Sequence, residues 1–265
     1  MKTMPVHNNH AGLAGKRILV TRPADQSNEI ISLLQHAGAE VVLFPTISIN
    51  PAEDWTACDD ALDNLDLWDA LIFTSANGVR FFVEHVKEVF PHLIQKLQNC
   101  TAYAVGEKTM AVADSFGLPA LCFNQAQNAE VLAEELARRV KGKILFPCGN
   151  LTGDTVKVRL SDVGVGVTQV VVYQTLPYKP DNTDQVIKEL KNKHINAIAF
   201  FSPSGIKHFL DLIPQSYVEG CAIAAIGTTT AAAARSLGLF PDIVAETPDS
   251  KNLIKTMENY YRDRS

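Results

Sequence analysis

No two cysteines in this chain are spaced to hold a metal or a redox disulfide. The five, Cys58, Cys100, Cys122, Cys148 and Cys221, are odd in number and scattered. A disulfide framework and a zinc site are therefore not expected, and a cytoplasmic location is. Basic residues are not in excess either. The net charge of −5 has the wrong sign for a nucleic-acid binder, which must meet a phosphate backbone. Residues 1–15 are polar, carry no apolar leader and suggest no role. No stretch approaches the ~20 apolar residues a membrane span needs. Nucleotide fingerprints are missing: there is neither GxGxxG after a strand nor GxxxxGK[ST]. Gly164 and Gly166 flank a valine between a helix and a strand, the wrong order for a dinucleotide loop. No histidine stands at a strand-to-helix turn, so Cys148 has no evident base to activate it.

What is present suits two α/β domains: 265 residues, 46% hydrophobic and 20% charged. Short β-rich runs alternate with amphipathic helical patterns. Strands are expected at 16–21 (KRILVT), 41–49 (VVLFPTISI), 70–74, 101–105, 143–146, 167–175, 197–201 and 222–226. Helical periodicity follows nearly every one, beginning with 26–36, where Ile30, Leu33 and Leu34 share a face. Such alternation predicts parallel sheets with helices on both faces.

The chain also echoes itself. Ile18 and Gly38 recur as Ile144 and Gly164, both 126 residues on. DALIFTSANGVRFF, from Asp69, is matched by NAIAFFSPSGIKHF, from Asn196, with Ser75 and Ser202 standing 127 apart. Gly106 and Gly117 return as Gly227 and Gly238, 121 apart. Order and spacing kept over three blocks predict an internal duplication. Extended segments containing proline begin at Pro45 and Tyr173, at matching places in each half, so the chain should cross between domains twice. The expected division is a discontinuous domain of residues 1–45 and 173–265 and an inserted domain of residues 46–172.

Six strand-to-helix turns stand out, opening at Thr21, Thr74, Gly106, Pro147, Ser202 and Gly227. Each carries small or hydroxylated residues where a helix should start. Taken singly they read as helix caps. Taken together, beyond the carboxyl ends of parallel strands, they would line one cleft rich in anion donors. Arg22, Arg80, Lys108 and Lys207 lie in or near them and are either solvated surface or partners for an anion. Tyr173 ends a strand at a crossing, where a phenol either packs or acts as a weak acid. Cys148 reads as a small buried thiol at a helix start rather than a nucleophile.

Seven motifs in order carry a resemblance: ILVTRP from Ile18, FTSANGV from Phe73, AVG from Ala104, FPCGN from Phe146, VYQT from Val172, FFSPSG from Phe200 and AIGTTTA from Ala225. Over about residues 16–261 the chain resembles the uroporphyrinogen-III synthases. The resemblance implies two similar parallel-sheet (flavodoxin-like) α/β domains joined by a two-stranded connector, with the site in their cleft. It implies a lyase of haem biosynthesis that needs no cofactor and no metal and works as a monomer. Its substrate would be hydroxymethylbilane, four linked pyrroles bearing eight carboxylates. The terminal hydroxyl leaves as water, the last ring inverts through a spiro intermediate, and the macrocycle closes. Such catalysis works mainly by orientation, which fits the lack of a triad. By resemblance Tyr173 assists water loss. Arg22, Thr74, Ser75, Ala76, Asn77, Gly78, Gly106, Gly149, Asn150, Ser202, Ser204, Gly205, Thr228 and Thr229 hold the substrate. Where many bacterial relatives carry a basic residue, this chain has Cys148. The alternative is a non-catalytic two-lobed module that binds a small polyanion.

Overall fold

The computed structural model describes residues 12–123 and 129–264. Most of the polar N-terminal stretch lies outside the described residues. In chain order the elements begin with β1 (Arg17–Val20), α1 (Asn28–His36), β2 (Glu40–Leu43), β3 (Ile47–Pro51) and α2 (Thr56–Asp63). They continue with β4 (Ala70–Phe73), α3 (Ala76–Val89), α4 (Ile94–Gln98), β5 (Ala102–Val105), α5 (Glu107–Ser115) and β6 (Ala120–Phe123). Next come α6 (Ala129–Arg139), β7 (Lys143–Gly149), α7 (Thr155–Ser161), β8 (Gly166–Pro177) and α8 (Thr183–Lys191). The last are β9 (Ala197–Phe200), α9 (Pro203–Leu212), β10 (Ala222–Ala225), α10 (Thr228–Ser236), β11 (Ile243–Val244) and α11 (Ser250–Arg262).

The chain forms two compact units, one of Met1–Ser48 with Leu176–Ser265 and one of Ile49–Thr175. The divide falls within β3 and β8, three residues beyond each expected crossing. In the first unit the sheet order is β11-β10-β9-β1-β2, with parallel pairings. Numbered within the unit, that is the 2-1-3-4-5 order of a flavodoxin-like sheet. The second unit has the order β3-β8-β7-β4-β5-β6. Counted from β7, its parallel strands β8-β7-β4-β5-β6 repeat the same 2-1-3-4-5 order. Each sheet therefore has a switch point where the winding reverses, between β1 and β9 in one unit and between β7 and β4 in the other.

The alternation of side chains along buried strands builds two cores per unit. Ile18 and Val20 pack with Ile30 and Leu34 of α1 and Leu253 and Met257 of α11. Leu19, between them, packs on the opposite face with Val186, Ile206, Phe209 and Ala234 from α8, α9 and α10. In the second unit Leu71, Phe73 and Leu145 join Val79, Phe82 and Val86 of α3. Ile72, Ile144 and Phe146 face Leu132, Leu136, Val156 and Leu160 of α6 and α7. Burying one such side chain stabilises by about 1.5–3 kcal/mol. Among the described residues no helix is long and apolar enough to cross a membrane.

Three expectations need correction. The run 41–49 is not one strand but β2 and β3, broken at Pro45, which cannot donate to a ladder. The short strands β6 and β11 escaped notice. Finally, Pro147, Cys148 and Gly149 do not open a helix: they end β7, and α7 starts only at Thr155. The strand continues through Pro147 because β4 pairs with β7 only as far as Leu145, while β8 accompanies it to Gly149.

Candidate active site

Parallel sheets of this kind bind ligands beyond the carboxyl ends of their strands, at the switch point. In the second unit that place is formed by the ends of β7 and β4, with the end of β8 beside β7. From β4 the chain runs through Thr74 and Ser75 into α3. Ser75 is extended, and its Oγ accepts the Gly78 N–H at 3.0 Å, an N-cap. Thr74, Ser75, Ala76 and Asn77 are half-buried, while Gly78 is buried. Gly78 has to be small, because a Cβ there would lie 3.0 Å from the Pro147 carbonyl oxygen.

The partner strand brings Tyr173 to this cap. Cys148 pairs with Val171 but Gly149 pairs with Tyr173, so β8 bulges by one residue. The Tyr173 hydroxyl then lies 3.2 Å from Ser75 Oγ. Its ring stacks on Phe81, with centroids 6.0 Å apart and planes at 19°. On Gly149 a Cβ would fall 2.5 Å from the ring's Cζ, so only glycine leaves room for the phenol. Asn150 N–H donates to the Tyr173 carbonyl at 3.1 Å. The Asn150 side chain continues the ladder, its Oδ1 accepting Thr175 N–H at 2.8 Å and its Nδ2 donating to Thr175 O at 3.4 Å. Gly149 and Asn150, expected among substrate contacts, thus lie against the tyrosine and its strand.

Burial pushes the Tyr173 phenol above its ordinary range, the Ser75 bond pulls it back, and the neighbouring Cys148 pushes it further up. The phenol is therefore protonated at neutral pH. Burial also lifts Cys148, to about 11, against a hydrogen bond with Thr152. It is a neutral thiol at neutral pH, not a poised nucleophile.

In the first unit the switch point joins the turns after β1 and β9. Ser202 Oγ accepts Gly205 N–H at 3.1 Å, the same cap as Ser75 on Gly78, and lies 3.2 Å from Ser204 Oγ. Arg22 is half-buried, its guanidinium 5.5 Å from the centre of the Phe201 ring. Burial lowers its pKa while Glu29 and Asp25 raise it, and a guanidinium stays charged throughout. The turn before α10 leaves Thr228 and Thr229 exposed. In the second unit Gly106 precedes α5 at φ +80°, a conformation that favours glycine. Arg80 stacks on the Phe81 ring at 4.5 Å, while Lys108 and Lys207 are exposed.

Two participants escaped the sequence reading. Phe81, six residues after Ser75, is the platform for the tyrosine ring. Thr46 is buried, and its Oγ1 donates to the Gly205 carbonyl at 2.8 Å. Its signal was a hydroxyl just past the end of β2, the strand that corresponds to β8 in the sheet order. Among the described residues no group of three or more His, Cys, Asp or Glu gathers as metal ligands would.

Comparison with known proteins gives a consistent result. Residues 28–255 match the family model described as uroporphyrinogen-III synthase HemD. A uroporphyrinogen-III synthase of Chlorobaculum parvum is 30% identical over 245 residues, covering 91% of this chain and 98% of that one. One of Synechococcus elongatus is 29% identical over 261 residues, covering 94% and 97%. Among solved structures, a mutant uroporphyrinogen III synthase of Thermus thermophilus superposes with a TM-score of 0.67 at 19% identity, covering 94% of this chain and 99% of that one. The Helicobacter pylori uroporphyrinogen-III synthetase gives 0.60 at 22%, covering 92% and 99%. At these identities the structural likeness speaks for the fold.

Proposed function

This chain belongs to the uroporphyrinogen-III synthase family, and from that we propose that it converts hydroxymethylbilane into uroporphyrinogen III. The family match over residues 28–255 carries the proposal. The chemistry of the turns supports it. Amide and hydroxyl donors at Thr74, Ala76, Asn77, Gly78 and Gly106, the backbone amide of Ser75, and donors at Ser202, Ser204, Gly205, Thr228 and Thr229 suit a ligand of many carboxylates. Arg22 adds a fixed positive charge.

Tyr173 is the proton donor. Hydroxide is a poor leaving group, and a phenol that burial keeps protonated hands its proton to the departing hydroxyl, which leaves as water. Ser75 then offers the tyrosinate a hydrogen bond. The azafulvene left behind is attacked by the last pyrrole through the carbon that gives the spiro intermediate. The spiro carbon's bond to its original methylene then breaks, leaving a second azafulvene that the ring's unsubstituted α-carbon attacks. The proton lost from that carbon as the ring regains aromaticity restores the phenol. The remaining task is to hold the two ends of the substrate so that the inverted closure outruns the direct one, catalysis by orientation. The protein acts as a cytoplasmic monomer, in keeping with its scattered cysteines.

The decisive experiment feeds hydroxymethylbilane to the purified protein without metal or nucleotide and separates the oxidised products by chromatography. The type III isomer is expected. Type I alone, the product of unaided closure, would refute the proposal and leave a binding module.

A further inference from the structure

We propose that Ser75 is a positioning residue for the reaction: held at the start of α3, its hydroxyl donates to the Tyr173 oxygen and turns the phenol's own hydrogen toward the leaving group. The inference rests on Tyr173 as proton donor. It follows from counting hydrogens. A serine hydroxyl has one hydrogen to give and two lone pairs. The Gly78 N–H can only donate, so at 3.0 Å it occupies one lone pair of Ser75 Oγ. The helix start polarises the hydroxyl further, because its amides point positive charge at the oxygen. Oγ is thereby a better donor than acceptor toward Tyr173 Oη, 3.2 Å away.

The ring cannot swing to avoid this bond. Gly149 fits so closely that a Cβ would touch Cζ, Cε2 and Oη at 2.5, 2.7 and 2.8 Å, and Phe81 is stacked beside the ring. The freedom that remains is the phenol's O–H torsion, which prefers two positions in the ring plane. With a donor on one side, the phenol hydrogen takes the other. The equivalent serine in the first unit, Ser202, makes the same cap but faces Ser204 Oγ at 3.2 Å.

The test compares Ser75→Ala, Ser75→Thr and Ser75→Asp, with Ser75→Ala also made in a Tyr173→Phe background. Turnover, KM and product isomer are measured. So is the pH titration of 13Cζ-labelled tyrosine by NMR, with the Tyr173 signal assigned by its loss in Tyr173→Phe. Ser75→Ala should lower kcat about 3–10-fold, the worth of one hydrogen bond, with KM within twofold. Its Tyr173 signal should titrate at higher pH. Ser75→Thr should restore both. Ser75→Asp keeps the cap and the melting temperature but cannot donate, and should be at least as slow as Ser75→Ala. In Tyr173→Phe the added Ser75→Ala should cost nothing more. Losses that multiply in the double variant, or a raised KM at unchanged kcat, would overturn the proposal and make Ser75 a direct substrate ligand. So would an unmoved Tyr173 signal. A fully active Tyr173→Phe would sink the proton-donor reading and this inference with it. The NMR signal would then still report whether the Ser75 bond exists, so the two failures are distinguishable.

Discussion

Gly149→Ala is the smallest change that tests whether the phenol's position matters. The added Cβ would sit 2.5 Å from Tyr173 Cζ, 2.7 Å from Cε2 and 2.8 Å from Oη. Comfortable contact between carbons begins at about 3.5 Å, so the ring or its strand must yield by about 1 Å. The hydroxyl starts 3.2 Å from Ser75 Oγ, near the outer limit of a hydrogen bond. A shift of that size breaks the bond. Misplacement of a reacting group by 1 Å costs up to ~10²-fold, and overpacking of this kind about 1–3 kcal/mol. Expected, therefore, are a kcat reduced roughly 10–100-fold, a nearly constant KM, and a melting temperature lower by about 2–4 °C per kcal/mol. The control is Gly153→Ala in the loop that follows β7, where an added Cβ meets nothing within 4 Å. It should change neither number. Hydroxymethylbilane turnover with isomer analysis, alongside thermal melts, decides the matter. Wild-type kcat and melting temperature in Gly149→Ala would refute the packing argument. A raised KM at unchanged kcat would make Gly149 a substrate contact instead.

Three further outcomes are expected. Because burial raises the Tyr173 phenol, its protonated form is the one the folded state favours. Turnover should therefore stay level from neutral pH to about 9 and fall only above the ordinary phenol range near 10, a limb that Tyr173→Phe should lack; a fall centred near pH 8 would contradict the assignment. Cys148→Ser should keep activity within a few-fold and cost about 1 kcal/mol, since Thr152 is at hand as a partner, whereas a thousandfold loss in folded protein would revive covalent catalysis. Asp249 caps α11 by accepting Asn252 N–H at 2.7 Å, so Asp249→Ala should destabilise by about 1 kcal/mol with turnover unchanged. Hydrogen bonds from Thr247 and the helix amides hold its pKa low. The benefit is present above the unfolded pKa near 4 and fades as pH falls through the folded value, so the penalty should shrink in acid; a penalty constant down to pH 2 would rule this out.

Much of the fold was legible because fully buried strands leave continuous apolar runs. Residues 70–73 and 197–200 are buried at every position and were read as strands one residue too long. The short edges β6 and β11, four and two residues long and only partly buried, leave too little pattern to read. Pro147 misled for another reason. A proline reads as the end of a strand, yet one strand end here has already lost its β4 neighbour and tolerates the missing N–H. Ser75 and Ser202 announced themselves as caps through a hydroxyl placed where a strand gives way to a helix, a local signal. The bond between Ser75 and Tyr173 spans 98 residues, and no local pattern reports a contact at that distance.

The sheet order does account for that contact, and it also locates the chemistry. In each unit the capping serine leads away from one side of the switch point, and the second strand of the neighbouring βαβ unit ends nearby. In the first unit Thr46 stands three residues past that strand's end at Leu43. Its hydroxyl is buried and spends its hydrogen on the Gly205 carbonyl. In the second unit Tyr173, 127 residues on and still within β8, has a longer side chain that is only partly buried and an oxygen that rests on a serine hydroxyl. A hydroxyl committed to a backbone carbonyl has no proton left for a substrate. A phenol that receives a hydrogen bond keeps its own proton to give. The two units therefore share a strand order and a helix cap but differ in whether a threonine or a tyrosine stands at this place. On the proposed function the first unit would contribute binding groups, and the second both binding groups and the acid.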